Sequence, residues 1–221
     1  MAIEKKQFNL AKQWLGRLSY SAGLTLQDDA VQQRREGKIP DTLFMLEHDP
    51  VYTIGRTRDK SSLHGKSNNL PYPVFETNRG GQATYHGPGQ LVGYPVIDLR
   101  SYGQDLHTYL RSLERALVDA CSQFGVEGNT REGYTGVWCA GRKIASIGIG
   151  VRHWVSMHGF AINVSGDLAP FEKITPCGIG GVEMTSVSRE SGREISLEEF
   201  ASVSFHSLQQ ELTLLRQSTP G

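Results

Sequence analysis

Apolar residues along this chain come mostly in short runs separated by glycine- and proline-rich stretches, with helical spacing in only a few places. The clearest helical period lies in DLHTYLRSLERALVDACSQFG (105–125), where Leu106, Tyr109, Leu110, Leu113, Leu117, Ala120, Cys121 and Phe124 fall on one face. Asp105 suits its first turn and Gly125 its end. LTLQDDAVQQRREGK (24–38) predicts another helix, with Asp28 and Asp29 early, Arg34 and Arg35 late, and Gly37 as a C-cap. A last helix is expected from SLEEF (196–200) to about Arg216. Ser196 and Glu199 have capping-box spacing there, and Phe200, Leu208, Leu212 and Leu215 form the apolar side.

The shorter runs predict strands. TLFMLEH (42–48) reads as a buried strand, VYTIGRTR (51–58) runs on into a loop, and VFET (74–77) is a further short strand. LVGYPVIDL (91–99) is another, with Pro95 pointing to an edge or a bulge. VWCAGRKIASIGIGV (137–151) predicts a tight hairpin about Ala140-Gly141, its second strand starting at Arg142 or Lys143. MHGFAINV (157–164) is a strand, whereas SSLHGKSNNLPYP (61–73) and SGDLAPFEKITPCGIGG (165–181) are loops. Strands and helices mix without a regular βα alternation, which predicts an α+β fold with a mixed sheet.

Composition narrows the function classes. A chain of 221 residues accommodates a single domain, 1–221, with room for a small C-terminal subdomain. Its 23 Lys plus Arg balance 23 Asp plus Glu, so nothing in the charge calls for a nucleic-acid partner. MAIEKKQFNL lacks the apolar core of a signal peptide, and no run is long enough to span a membrane. Three sparse cysteines, Cys121, Cys139 and Cys177, do not make a disulfide framework, which points to a cytoplasmic protein with free thiols. None of the seven histidines pairs with another ligand at structural-zinc spacing, so no metal is expected.

Cys121 falls on the apolar face of its helix, as a packing residue does. Cys177 is different: it lies between Pro176 and Gly178 in a loop. A thiol at its ordinary pKa is only slightly ionised at neutral pH, so a nucleophilic Cys177 needs a proton acceptor. Lys143, His86 and His158 are the rivals, and spacing alone does not choose among them. Lysines at strand starts ordinarily snorkel to solvent; one pointing inward would be able to exchange a proton. RGGQATYHGPGQLVGYPV (79–96) is rich in glycine, which lets a ligand approach the backbone, yet it is neither a Walker A nor a dinucleotide-binding sequence.

Three segments together, RGGQATYHGPGQLVGYPVIDL (79–99), GRKIASIGIGVRHWVSMHGFAINV (141–164) and DLAPFEKITPCGIGGVEMTSV (167–187), resemble the lipoyl(octanoyl) transferase family, also called lipoate–protein ligase B. The likeness spans roughly 40–210. It implies a mixed sheet flanked by helices, similar to the catalytic domain of biotin and lipoate protein ligases. It also implies an acyltransferase without a cofactor. Such enzymes move an octanoyl group from octanoyl-acyl carrier protein to a lysine of lipoyl domains, in 2-oxoacid dehydrogenases and the glycine cleavage H protein. The family's nucleophile falls on Cys177 and its lysine partner on Lys143. Its substrate-contacting segments fall on Arg79, Gly80, Gly81, Gln82, Ala83, Thr84, Tyr85 and His86, on Ser146, Ile147 and Gly148, and on Gly159, Phe160 and Ala161.

The competing functions are an ATP-dependent lipoate or biotin ligase, a lipoyl-domain amidotransferase, and a non-catalytic module that binds acyl carriers or lipoyl domains. An adenylating ligase has no need of Cys177, and a binding module needs neither Cys177 nor Lys143. Arg79, Arg142 and Arg152 are the candidate cations for steering an acidic acceptor, against the equal alternative that each solvates the surface or pairs with a neighbouring carboxylate.

Overall fold

A computed structural model describes residues 9–64 and 69–219. Residues 65–68 of the expected 61–73 loop, and most of the N-terminal segment tested for a signal peptide, lie outside the described residues. A six-stranded sheet has the order β1-β2-β6-β9-β8-β7, built from β1 (Ala11–Leu18), β2 (Thr42–His48), β6 (Gln90–Val96), β9 (Val155–Asn163), β8 (Arg142–Arg152) and β7 (Val137–Cys139). β1 and β2 are parallel and the remaining neighbours antiparallel, so the sheet is mixed. A smaller sheet orders β4 (Val74–Glu76), β3 (Val51–Ile54) and β5 (Thr84–His86).

Alternation along β2 divides the core. Leu43 and Met45 join the cluster that receives α2 (Leu106–Ser122) and α4 (Leu197–Ser218), while Phe44 and Leu46 join the one holding Ala30 and Val31 of α1 (Tyr20–Arg35). Helices therefore cover both faces. A short α3 (Val187–Ser191) precedes α4. α2 and α4 begin where their caps predict: Asp105 accepts N–H bonds from His107 and Thr108, and Ser196 accepts one from Glu199.

Three expectations change. α1 begins four residues before Leu24, on an N-cap from Ser19, so Asp28 and Asp29 are mid-helix. Its first turns contain Gly23, a poor helix former, because a Cβ there would meet His48 Cε1 at 2.8 Å. Pro95 lies in β6, which is central rather than at an edge. It is tolerated because the β9 ladder stops at Gly93↔Phe160, and the Pro95 carbonyl instead accepts from Ser156 Oγ at 2.7 Å. β1 has no counterpart among the expected strands; it is an edge strand with mostly exposed or half-exposed side chains.

Candidate active site

The site is assembled by the hairpin of β7 and β8. Ala140 (φ +47°) and Gly141 (φ +80°) both take the left-handed conformation that a two-residue hairpin turn requires. The turn sets the phase of β8. Arg142 faces outward and pairs with Glu190 through Nε at 2.9 Å and Nη2 at 2.8 Å. Lys143 faces inward and is fully buried. The chain after the 165–181 loop runs along Lys143: its N–H donates to Glu183 O at 2.8 Å, and its carbonyl accepts from Thr185 N at 2.9 Å. That clasp brings the loop's cysteine to the lysine.

Lys143 Nζ lies 3.1 Å from Cys177 Sγ and 3.2 Å from Thr135 O, with the Trp138 ring centroid at 4.9 Å. No carboxylate pairs with it among the described residues. The Thr135 carbonyl is held by its neighbour: Gly136 N–H donates at 2.9 Å to Glu114, a fully buried carboxylate that Arg111 neutralises. Gly136 has φ +134°, and a Cβ there would meet Lys143 Cε at 2.9 Å. Cys177 itself is left-handed (φ +56°, ψ 19°) at a sharp turn, its N–H tied to Ala83 O at 2.9 Å. Ser146 Oγ is 3.8 Å from its sulfur.

From Cys177 a narrow slot runs over the sheet. Ser146, Ala161 and Val92 stand directly opposite one another on β8, β9 and β6 and form one wall, with Tyr20 of α1 and Thr84 and His86 of β5 also lining it. The imidazoles that border the slot are held neutral. Burial, then His48 and Arg79, pushes His86 down to about 3; burial and Arg79 push His158 down to about 4. His86 bonds Gln90 at 2.8 Å and His158 bonds Asn78 at 2.6 Å, so neither partners the thiol. Burial raises the Tyr20 phenol to about 12 despite Arg79. Arg79 is buried and caged by the Gly80 carbonyl at 2.9 Å, both Thr53 oxygens at 2.7 and 2.9 Å, and the Gln82 carbonyl at 2.9 Å. Its Nε and the Thr84 hydroxyl, both buried in the slot lining, have no partner among the described residues.

Residues 19–209 match the family model described as the lipoyl protein ligase A/B catalytic domain. A protein named octanoyltransferase from Geobacter sulfurreducens is 51% identical over 185 residues, covering 84% of this chain and 77% of its own. The chain belongs to the octanoyltransferase family. Another octanoyltransferase, from Rubrobacter xylanophilus, is 47% identical over 89% of this chain and 91% of its own. Among solved structures, a lipoate-protein ligase A bound with ATP superposes with a TM-score of 0.74 at 16% identity, covering 92% of this chain and 85% of that one. The biotin protein ligase of Aquifex aeolicus gives 0.57 at 11% identity, covering 96% and 72%. These two likenesses are of fold, the mixed sheet flanked by helices expected from the sequence.

Within this octanoyltransferase fold, the residues singled out from the sequence fall in different places. Arg79, Gly81, Thr84, His86, Ser146, Ile147, Gly148, Gly159, Phe160 and Ala161 border the slot with Cys177. Ala83 and Tyr85 do not; strand alternation turns them into the cluster with Tyr52 and Phe171. Gly80 borders an open groove instead, and the Gln82 amide packs against Gly178, where a Cβ would meet Oε1 at 2.1 Å. None of the three steering arginines is a free cation at the entrance: Arg79 is buried, Arg142 is paired with Glu190, and Arg152 is paired with Asp28 at 3.1 Å. Sequence reasoning missed Tyr20, Val92, Trp138 and Glu114, which reach the site from distant elements. Of these, only Glu114 carried a readable signal, a carboxylate one position beyond Leu113 on the apolar stripe of its helix.

Proposed function

We propose that this chain transfers an octanoyl group from octanoyl-acyl carrier protein to a lysine of lipoyl domains through a thioester on Cys177. The observation that carries the reading is the contact of buried Lys143 with Cys177 Sγ at 3.1 Å, at the mouth of a slot suited to an acyl chain. In the first step Cys177 passes its proton to Lys143 and its sulfur attacks the donor's carbonyl. A new C–S bond forms, the old one breaks, and the carrier thiol leaves with a proton supplied by Lys143. In the second step the acceptor amine attacks the enzyme thioester. A C–N bond forms, the Cys177 C–S bond breaks, and the amine proton passes to Lys143. The donor is already activated, so ATP is unnecessary.

The glycine-rich loop supplies donors for the developing oxyanion. Cys177 and Gly178 spend their N–H groups on Ala83 O and Thr175 O, both at 2.9 Å. The N–H groups of Gly81 and Gln82 donate to no acceptor among the described residues, and Gly81 borders the slot beside the sulfur. The wall of the slot matches the acyl length. Two strand spacings separate Ser146 from Val92, a row of about 10 Å. An extended eight-carbon chain, with C–C bonds of about 1.5 Å, reaches about 9 Å.

The acceptors on this reading are the lipoyl domains of 2-oxoacid dehydrogenases and the glycine cleavage H protein, in the cytoplasm. Among the described residues no helix is long and apolar enough to cross a membrane. The test is intact-mass analysis after mixing with octanoyl-acyl carrier protein in the absence of ATP. An octanoyl adduct on Cys177, removed by hydroxylamine, is expected. Cys177→Ser should abolish turnover, and Lys143→Arg, which keeps the cation but loses proton exchange, should lose most of it. Full turnover in C177S would sink the thioester route, and efficient modification from octanoate plus ATP would favour the ligase reading.

A further inference from the structure

Cys177 borders two cavities. Besides the slot, an open groove reaches Cys177, and Gly81, Ile147 and Gly148 lie on the border of both. We propose that this groove receives the thiol-bearing arm of an acidic carrier protein, with Arg56 on its lining and Arg131, stacked on its Tyr134, meeting the carrier's negative charge. The proposal rests on the thioester reading above: with the acyl tail in the slot, the leaving thiol must depart on the opposite side of the reacting carbonyl.

The groove's walls fit such an arm. They include Leu106 and Leu110 at the start of α2, Ile149, Ile179 and Tyr134. Leu106 is 38% exposed and Tyr134 37%, unusual for large apolar side chains of this chain, and both face this groove. Leu106 belongs by spacing to the helix's apolar stripe but lies beyond the core that the rest of the stripe packs into.

The charges select the partner. Arg56 lines the groove, is exposed, and makes no side-chain hydrogen bond or ion pair among the described residues. Arg131 is exposed and stacks on the Tyr134 ring at 5.1 Å, again with no carboxylate partner. The nearby cations Arg58 and Lys60 are instead neutralised by Glu76. Among the described residues no Asp or Glu lines the groove, and Asp105, next to Leu106, is engaged in capping α2. A second large groove contrasts with it: that one is bordered by three carboxylates, Asp167, Glu172 and Glu183, against one arginine, Arg189, which pairs with Glu183, and Cys177 is not on its lining. An anionic partner is therefore repelled from one groove and drawn to the one that opens on the sulfur.

The test measures acyl-enzyme formation in the full chain, wild type against Arg56→Glu/Arg131→Glu, with three octanoyl thioesters: the carrier protein, coenzyme A, and N-acetylcysteamine. The last has no anionic end and is the internal standard. The ratio of carrier to N-acetylcysteamine acylation rates should fall by about ten-fold or more at low salt, and the deficit should shrink as salt rises. An unchanged ratio would overturn the proposal. So would an equal loss with coenzyme A, which would assign the two arginines to a nucleotide's phosphates rather than to a carrier. If wild type forms no adduct with any of the three, the thioester reading fails, and this proposal with it.

Discussion

If Ala161 sits halfway along the acyl chain, enlarging it should shorten the chain the enzyme prefers. Ala161 is opposite Ser146 on one side and Val92 on the other, one strand spacing or about 4.8 Å from each. Ala161→Val places two methyl groups there and blocks the half of the slot farther from Cys177. About four methylenes of an octanoyl chain lose their burial, at roughly 0.8 kcal/mol each, or about 3 kcal/mol in all. That is roughly a hundred-fold. The assay is single-turnover acylation with octanoyl and butanoyl donors, read as the ratio of their rate constants. The ratio should fall by about that factor in A161V and stay near wild type in Ala161→Ser, which adds one atom. Valine suits a strand, and Ala161 borders the slot, so the melting temperature should move by only a few degrees. An unchanged octanoyl-to-butanoyl ratio in a variant that melts normally would refute the placement of the chain across β8, β9 and β6.

Iodoacetamide at neutral pH should label Cys177 alone, read by peptide mapping. Cys121 is buried, with its thiol pushed up to about 12 by that burial, and Cys139 is raised by burial and Glu190, so early labelling of either would contradict the packing. Stability should be flat above pH ~6.5 and fall below it, because unfolded imidazoles bind protons from there down while folded His158 and His86 do so only near about 4 and about 3. Each contributes about 1.4 kcal/mol per pH unit, so denaturant melts at pH 7 and pH 5 should differ by about 4 kcal/mol; equal stabilities would show that these rings are hydrated or paired.

The sequence made Cys177 and Lys143 visible because each breaks a local rule, a thiol in a Pro/Gly loop and a lysine in an apolar strand. Their 3.1 Å contact was not readable, since it depends on residues 183–185 clasping β8. The glycine-rich stretch was visible as a block, but its division was not. Thr84 and His86 face the slot while Ala83 and Tyr85 face away, which needs the knowledge that β5 is a strand. β1 was missed because AKQWLGRL alternates weakly and lies at an edge, where propensity says little. Pro95 misled for a different reason. The rule against proline in central strands holds for an intact ladder, and here the ladder to β9 ends before it. The partners of the arginines were not readable because nothing in a sequence reveals Glu190 beside Arg142 or Asp28 beside Arg152.

On the thioester reading, the conformation of Cys177 sets stability against function at a single residue. With φ +56° and ψ 19°, it holds a Cβ where L-residues are disfavoured by about 1–2 kcal/mol. Glycine accepts this region without that cost, though it loses about 0.5–1 kcal/mol more conformational entropy on folding. Alanine keeps the Cβ and its strain and lacks the sulfur. Cys177→Gly should therefore be more stable than Cys177→Ala by about 1 kcal/mol, and both should be inactive. Comparing these two variants, rather than either with wild type, removes the thiol's own contacts with Lys143 and Ser146 from the difference. Chemical denaturation of the two proteins under one condition reads it directly. If alanine proves as stable as glycine, the turn is not strained in solution, and the left-handed geometry does not account for how the thiol is presented to the lysine.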